Sequence, residues 1–247
     1  MTNADRGWEL LPLGDGALLI RFGDAIDEAL NRTVHAFAAR LEKEPFAGMI
    51  ECVPAFASVA VHYEPLTVMR SRSQDEARHE TVYETVYARV ERVLDSFVAA
   101  DAMEERTVIE IPVCYGDELG PDLAFVAAHC GLSEDEVIAI HSGGAYVVHM
   151  IGFAPGFPYL GGMSERIAAP RRQTPRTIIP AGSVGIAGKQ TGVYPIATPG
   201  GWQLIGRTPL ALFRPERAIP SLLHAGHEVR FKPISRSDYD RYGEGAR

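Results

Sequence analysis

Between Ser142 and Pro215 the chain carries seven basic residues, Arg166, Arg171, Arg172, Arg176, Lys189, Arg207 and Arg214, against one acidic residue, Glu165. The same segment holds 13 of the 24 glycines. Its formal charge of +6 leaves −14 for the rest of a chain whose total is −8. Guanidinium groups fork carboxylates and phosphates through paired hydrogen bonds, and glycine lets backbone N–H groups approach a ligand closely. The chemistry this combination suits is the binding of a small anion. Solvated loop arginines and turn glycines would produce the same counts, so position has to decide. Within the segment lies GFAPGFPYLGG (152–162), uncharged and doubly proline-stiffened. Phe153, Phe157 and Tyr159 there either plug a barrel corner or, with Pro155 and Pro158 fixing the path, form a preorganised wall.

Other chemical signals are weaker. Gly182 to Thr191 (GSVGIAGKQT) has the outline of a phosphate-binding loop, but serine stands at 183 where glycine is needed and glutamine at 190 where a hydroxyl is needed. Ser183 also lacks the glycine context of a nucleophile elbow. His149 is the one histidine well inside the basic segment, on a predicted strand, and fits either a structural or a ligand-contacting role. No histidine pair has zinc spacing, and no metal site is expected. Cys52, Cys114 and Cys130 are widely spaced and odd in number, which points to packing thiols in a reducing compartment.

The elements that must position these residues fall into two groups. Trp8–Leu13 and Ala17–Phe22 read as strands joined at Gly14-Asp-Gly16. Ile26, Leu30, Val34, Phe37 and Leu41 keep helical spacing until Pro45. Met49–Val53 and Ser58–Tyr63 are two more strands. Ser73-Gln-Asp-Glu76 is a capping box, predicted to open a helix whose apolar face is Val82, Tyr83, Val86, Tyr87, Val90, Val93, Leu94, Phe97 and Val98. The order ββαββα implies a four-stranded sheet with helices on one side, a domain over residues 1–100. The polar stretch Ala99–Arg106 marks a boundary, and a second domain is expected over residues 107–235. It starts with a strand at Thr107–Cys114 and helices at Pro121–Cys130 and Ser133–His141, the latter opened by the box Ser133-Glu-Asp-Glu136. Short strands follow at Tyr146–Phe153, Ser183–Ala187, Trp202–Ile205, Leu210–Phe213 and Glu228–Lys232, and their glycine and proline punctuation favours a barrel or sandwich. The tail from Ser235 is polar and expected to be loose at its end.

With 247 residues, 46% hydrophobic and 23% charged, the composition is globular. Net charge −8 argues against nucleic acid or an anionic membrane as the main partner. No secretory signal or 18-residue apolar run is present, so a cytoplasmic protein is expected.

Four motifs in order, HMIGFAPGFPYLGGM (149–163), PRRQTPRTIIPAGSVGIAG (170–188), QTGVYP (190–195) and TPGGWQLIGRTPL (198–210), together with IPVCYG (111–116) and AAHCGLSEDEVIAIHS (127–142), resemble the family of 5-oxoprolinase B subunits, also called the KipI or allophanate hydrolase subunit 1 family. The resemblance covers most of the chain. It implies an α+β architecture: an N-terminal two-layer ββαββα domain, then a C-terminal cyclophilin-like β-barrel, a likeness of shape that transfers no isomerase activity. It implies a partnership with a larger C subunit (of the allophanate hydrolase subunit 2 family) and with an A subunit. It also implies ATP-driven opening of 5-oxo-L-proline to L-glutamate, with ATP and Mg acting at the level of the complex. A lactam is a poor electrophile, and phosphorylation of its carbonyl oxygen would make attack by water feasible. Donors aimed at the resulting oxyanion are each worth about 3–4 kcal/mol. On this view Arg171, Arg176 and Arg207 supply charge, and His149, Gln190, Thr191 and Gln203 orient polar groups. Gly152, Phe153, Pro155, Gly156 and Phe157 form the wall, and Ser183 borders the ligand. The whole reading requires these cations to converge on one hollow beside the glycine-proline corner. Two rival functions remain open: a regulatory module inhibiting a sensor histidine kinase, as KipI does, and a carboxyltransferase-type subunit related to urea carboxylase. The latter needs a biotinylated carrier, and neither Lys43 nor Lys189 follows a methionine.

Overall fold

The computed structural model describes residues 7–25, 27–97 and 107–244. The chain divides into two compact units, Met1–Glu105 and Arg106–Arg247. Ile26, Val98, the stretch Ala99–Arg106 and the last three residues lie outside the described residues.

In the first unit, β1 (Glu9–Pro12) and β2 (Ala17–Arg21) form a hairpin, followed by α1 (Glu28–Lys43), β3 (Met49–Pro54) and β4 (Ser58–Tyr63). The sheet order is β1-β2-β4-β3, antiparallel throughout. Asp27 caps α1 by accepting the Leu30 N–H, and the stripe Val34, Phe37, Ala38 and Leu41 is buried. Two features differ from the sequence expectation. A short helix α2 (Pro65–Arg70) follows β4, opened by Glu64, whose carboxylate accepts from the N–H groups of Leu66 and Thr67. Six residues are too few for a periodic signal. The Ser73–Glu76 box does form, but it opens only a 3₁₀ turn, Glu76–Arg78. The long helix α3 (Val82–Ser96) has its own box at Thr81 and Glu84. Glu76 is instead fixed by Arg89, whose Nε and Nη2 donate to its two oxygens at 2.9 and 2.8 Å. Leu18, Ile20, Phe37, Val59, Val61, Val86 and Val90 make the core.

The second unit is a closed barrel. Its strands are β5 (Val108–Tyr115), β6 (Tyr146–Ile151), β7 (Pro158–Gly161), β9 (Ser183–Ala187), β10 (Gln190–Val193), β12 (Gln203–Arg207) and β13 (Glu228–Pro233), in the order β10-β7-β6-β13-β5-β12-β9 with β9 returning to β10. Every pairing is antiparallel except β13 with β5, which run parallel from Glu228↔Val108 to Pro233↔Val113. Outside the barrel, β8 (Arg176–Ile179) and β11 (Thr198–Gly200) form a two-stranded arm. The strands β7, β8, β10 and β11 have only three or four residues each, too few for an alternation to register. Leu210–Phe213 is not a strand; Phe213 makes one isolated bridge to Ser221. The tail from Ser235 forms helix α6 (Arg236–Glu244), with Ser235 Oγ accepting from Asp238 N–H at 3.1 Å; its end, where looseness is expected from the sequence, lies outside the described residues.

Helices α4 (Leu123–Cys130) and α5 (Glu134–Ser142) lie against β12 and β13 respectively. The Ser133–Glu136 box caps α5 as its sequence requires. The approach to α4 depends on Gly120: a Cβ there would collide with the backbone carbonyl of Ile205. Inside the barrel one polar chain is fully satisfied. Tyr115 O–H donates to His141 Nδ1 (2.8 Å), His141 Nε2–H to Thr191 Oγ1 (2.9 Å), and Thr191 O–H to the Gly185 carbonyl (3.0 Å). Phe231 stacks on the imidazole at 4.5 Å. Burial pushes His141 down to about 3, so the ring is neutral, as this chain of donors demands.

Candidate functional site

Two of the basic side chains in the glycine-rich segment share one acceptor. Arg172 Nη1 and Arg176 Nη2 donate to Oδ1 of Asp122 at 2.9 and 2.8 Å. Asp122 stands at the start of α4, where a carboxylate would ordinarily cap the helix; it makes no capping bond. Its Oδ2 accepts from Leu204 N–H at 2.7 Å, and its own N–H donates to the Leu204 carbonyl. The side chain is only 7% exposed, so β12 and α4 hold the anchor rigidly.

The arm brings the arginines to this anchor. Arg176 opens β8 opposite Gly200 of β11. Arg172 N–H donates to the Gly201 carbonyl at 2.8 Å, and Gln203 Nε2 donates to the Pro170 carbonyl at 2.9 Å. Two guanidinium nitrogens are left over. Arg172 Nε and Arg176 Nη1 are enclosed and have no hydrogen-bond partner. Enclosed donors without acceptors are costly, and in a native fold they call for an explanation.

Beside the arm stands an aromatic group centred on Phe157. Its ring meets Phe153, Tyr159, Tyr194 and Trp202 edge-on, at centroid distances of 5.4, 5.1, 5.4 and 5.8 Å. Burial pushes the Tyr194 hydroxyl up to about 12, against the opposing pull of Arg171 and Arg176. Tyr194 is therefore a neutral hydroxyl, packed against Gly200 of the arm. The glycine-proline stretch makes the barrel corner that was one of the two jobs its composition suggested. Residues 152–157 turn β6 into β7, closed by Gly152 N–H to the Phe157 carbonyl. Phe157 is buried, whereas Phe153, 66% exposed, is held outward at φ +67°.

The structure sorts the sequence candidates. Arg176, Gln203 and Phe157 come together around the arm with Asp122, Arg172, Tyr194 and Trp202, and Arg171 is exposed within electrostatic reach of Tyr194. Gly152, Pro155 and Gly156 make the turn beside Phe157. Arg207 ends β12 and donates from Nε to the Ala181 carbonyl. Lys189 pairs with Glu165 on the surface. Thr191 is fully buried and spends its hydroxyl on the barrel chain. Ser183 is buried where β9 begins, and Gln190 begins β10. His149 is buried on β6 with its ring packed on Gly161, where a Cβ would overlap the imidazole. The cations thus do not share one hollow: two meet at Asp122, and Arg207 and Lys189 are engaged elsewhere. Asp122 escaped the sequence reading because it falls inside the helix predicted at Pro121–Cys130, where nothing local marks a carboxylate as an anchor, and Arg172 because nothing in the order Arg171-Arg172 tells the two apart.

Residues 8–223, which take in the first unit and most of the barrel with its arm, match the model for the carboxyltransferase domain, subdomain C and D. The B subunit of 5-oxoprolinase from Bacillus subtilis is 56% identical over 237 residues, covering 96% of this chain and 97% of the relative. That of Escherichia coli O157:H7 is 43% identical over 222 residues, covering 90% and 94%. The crystal structure of TTHA0988 superposes with a TM-score of 0.73 at 34% identity; it covers 89% of this chain, which spans 40% of that longer one. The chain belongs to the family of 5-oxoprolinase B subunits.

Proposed function

We propose that this chain is the B subunit of a cytoplasmic, ATP-dependent complex that opens 5-oxo-L-proline to L-glutamate, its partners being a larger C subunit and an A subunit. The observation that carries this reading is the Arg172–Asp122–Arg176 trio, a cationic group fixed from both sides with two unspent donors. It suits an anionic substrate, and the names of the relatives supply the substrate in question. In this reading the trio binds and orients, while Phe157, Tyr194 and Trp202 keep water from the bound ring. The run from Gly182 to Thr191 does not fit a nucleotide. It forms β9 and β10, whose N–H groups pair with each other and with neighbouring strands, and Lys189 is tied to Glu165. ATP and its Mg ion are therefore assigned to the partner chains.

The test is reconstitution with the C and A partners, followed by measurement of ADP and glutamate released on addition of 5-oxo-L-proline. Equal, substrate-dependent release supports the reading. A well-formed complex without it would sink the reading and turn attention to carboxyl transfer, the reaction the family model names.

A further inference from the structure

We infer that Arg172 and Arg176, held by Asp122, receive the carboxylate of a small monoanionic ring substrate, with Phe157, Tyr194 and Trp202 as the apolar wall for its ring. The inference rests on the proposed function and assigns Arg176, with Arg172, to uniform binding of the substrate, where the family resemblance implied that Arg176 stabilises a developing oxyanion.

Three observations point to a carboxylate. The unspent donors are one nitrogen on each guanidinium, Arg172 Nε and Arg176 Nη1, and a carboxylate offers one oxygen to each. Charge agrees. Two guanidiniums and one carboxylate leave a formal +1, which a monoanion neutralises and a phosphate dianion would overshoot. Finally, the surroundings are half apolar. Tyr194 packs on Gly200, and Phe157 and Trp202 stand edge-on to Tyr194 at centroid distances of 5.4 and 6.3 Å, a buried aromatic cluster beside the cations.

Access follows from the arm. The unspent nitrogens are enclosed, so a ligand oxygen reaches them only when residues 170–176 move off the barrel. That segment is attached by Arg172 N–H to Gly201, Gln203 to Pro170, the strand pairing of Arg176 with Gly200, and the ion pairs themselves. A ligand carboxylate that re-closed the arm would exchange unsatisfied donors for charge-assisted hydrogen bonds.

In 5-oxoproline the carboxylate is remote from the lactam carbonyl and keeps its charge throughout the reaction. Interactions with it are equal in ground and transition states, so losing them raises KM and spares kcat. In the reconstituted complex, Arg172→Gln and Arg176→Gln are each expected to raise KM for 5-oxo-L-proline at least about tenfold, with kcat within about twofold. If a glutamine variant fails to assemble, Arg172→Lys and Arg176→Lys, which keep the charge but lose the fork, are expected to move KM in the same direction. Calorimetry on the wild-type complex should show cyclopentanecarboxylate binding at least about tenfold more tightly than 2-pyrrolidinone or inorganic phosphate. A fall in kcat at unchanged KM would overturn the inference and leave the proposed function intact. So would 2-pyrrolidinone or phosphate binding as well as cyclopentanecarboxylate, or no carboxylate binding at all. A complex that ignores 5-oxo-L-proline but binds cyclopentanecarboxylate through both arginines would refute the proposed function and uphold the carboxylate site.

Discussion

His141 and Thr191, fifty residues apart in sequence, meet at 2.9 Å inside the barrel, and the bond fixes which nitrogen of the imidazole carries the proton. Because the Thr191 hydroxyl donates onward to Gly185, it can only accept from His141 Nε2–H, which leaves Nδ1 to accept from Tyr115. Thr191→Val keeps the volume and strands the His141 N–H. A buried orphan costs about 1–3 kcal/mol. The urea midpoint should fall accordingly, while KM for substrate in the complex stays at its wild-type value. A shift in KM without loss of stability would return Thr191 to the binding site.

Acid should destabilise the barrel through the same ring. The folded pKa of His141, about 3, lies below the unfolded value near 6.5 because burial disfavours the imidazolium. Its contribution is therefore complete above pH 6.5 and is lost as pH falls from there towards 3, by at most about 1.4 kcal/mol per pH unit. Glu76 is held down at about 2, chiefly by its hydrogen bonds from Arg89, and its contribution is lost between pH 4.5 and 2. Urea unfolding at pH 7.5, 6.5, 5.5 and 5.0 separates the two, because of the pair only His141 titrates in that range. His227, also lowered by burial, adds to the slope with the same sign, so in His141→Gln the slope between pH 6.5 and 5 should fall but not vanish.

Gly161 leaves room for the His149 ring against β7. Gly161→Ala places a methyl inside that ring and should cost about 1–3 kcal/mol as the imidazole is pushed aside. In the double variant His149→Ala, Gly161→Ala the clash is gone. A coupling of at least about 1 kcal/mol between the two substitutions is expected in a double-mutant cycle. Additive losses would show that the glycine serves something other than the histidine.

The two phenylalanines of the 152–157 turn should respond very unequally. Phe153 sits in the left-handed region, which costs an L-residue about 1–2 kcal/mol, and exposes most of its ring. Phe153→Gly removes that strain, loses the edge contact with Phe157 and adds glycine's unfolded-state freedom, so stability should change by less than about 1 kcal/mol. Phe157→Ala empties the centre of the aromatic group and should cost about 3–5 kcal/mol. Thermal unfolding of both variants decides the matter.

Long periodic elements were legible in the sequence. α1, α3 and the paired strands of the first sheet announce themselves because one face of each is buried over many residues, and the Ser133 box marks α5 for a local reason that tertiary packing does not override. The short strands β7, β8, β10 and β11 give no such signal, since three or four residues broken by glycine and proline cannot show a period. Capping chemistry proved reliable as bonding and unreliable as a boundary: Ser73 and Glu76 do pair, yet the helix waits for Thr81. At the candidate site the arginine-rich run was visible as charge, and the glycine-proline turn as stiffness. What could not be read was the division of labour among identical side chains. Arg172 and Arg176 differ from Arg207 only in lying near Asp122, 50 residues earlier or more, and that proximity exists only once β12 and α4 are assembled.

The parallel seam between β5 and β13 sets the order in which the second unit can be completed. β5 is its first strand and β13 its last, so as the chain leaves the ribosome β5 has no partner on that side until more than a hundred further residues have been made. Until then the cylinder is an open sheet with two bare margins, at β5 and β6, each a template for another nascent chain. Truncation before Glu228 would make that condition permanent, producing self-association from a polypeptide whose Arg172–Asp122–Arg176 trio and aromatic cluster are all still encoded.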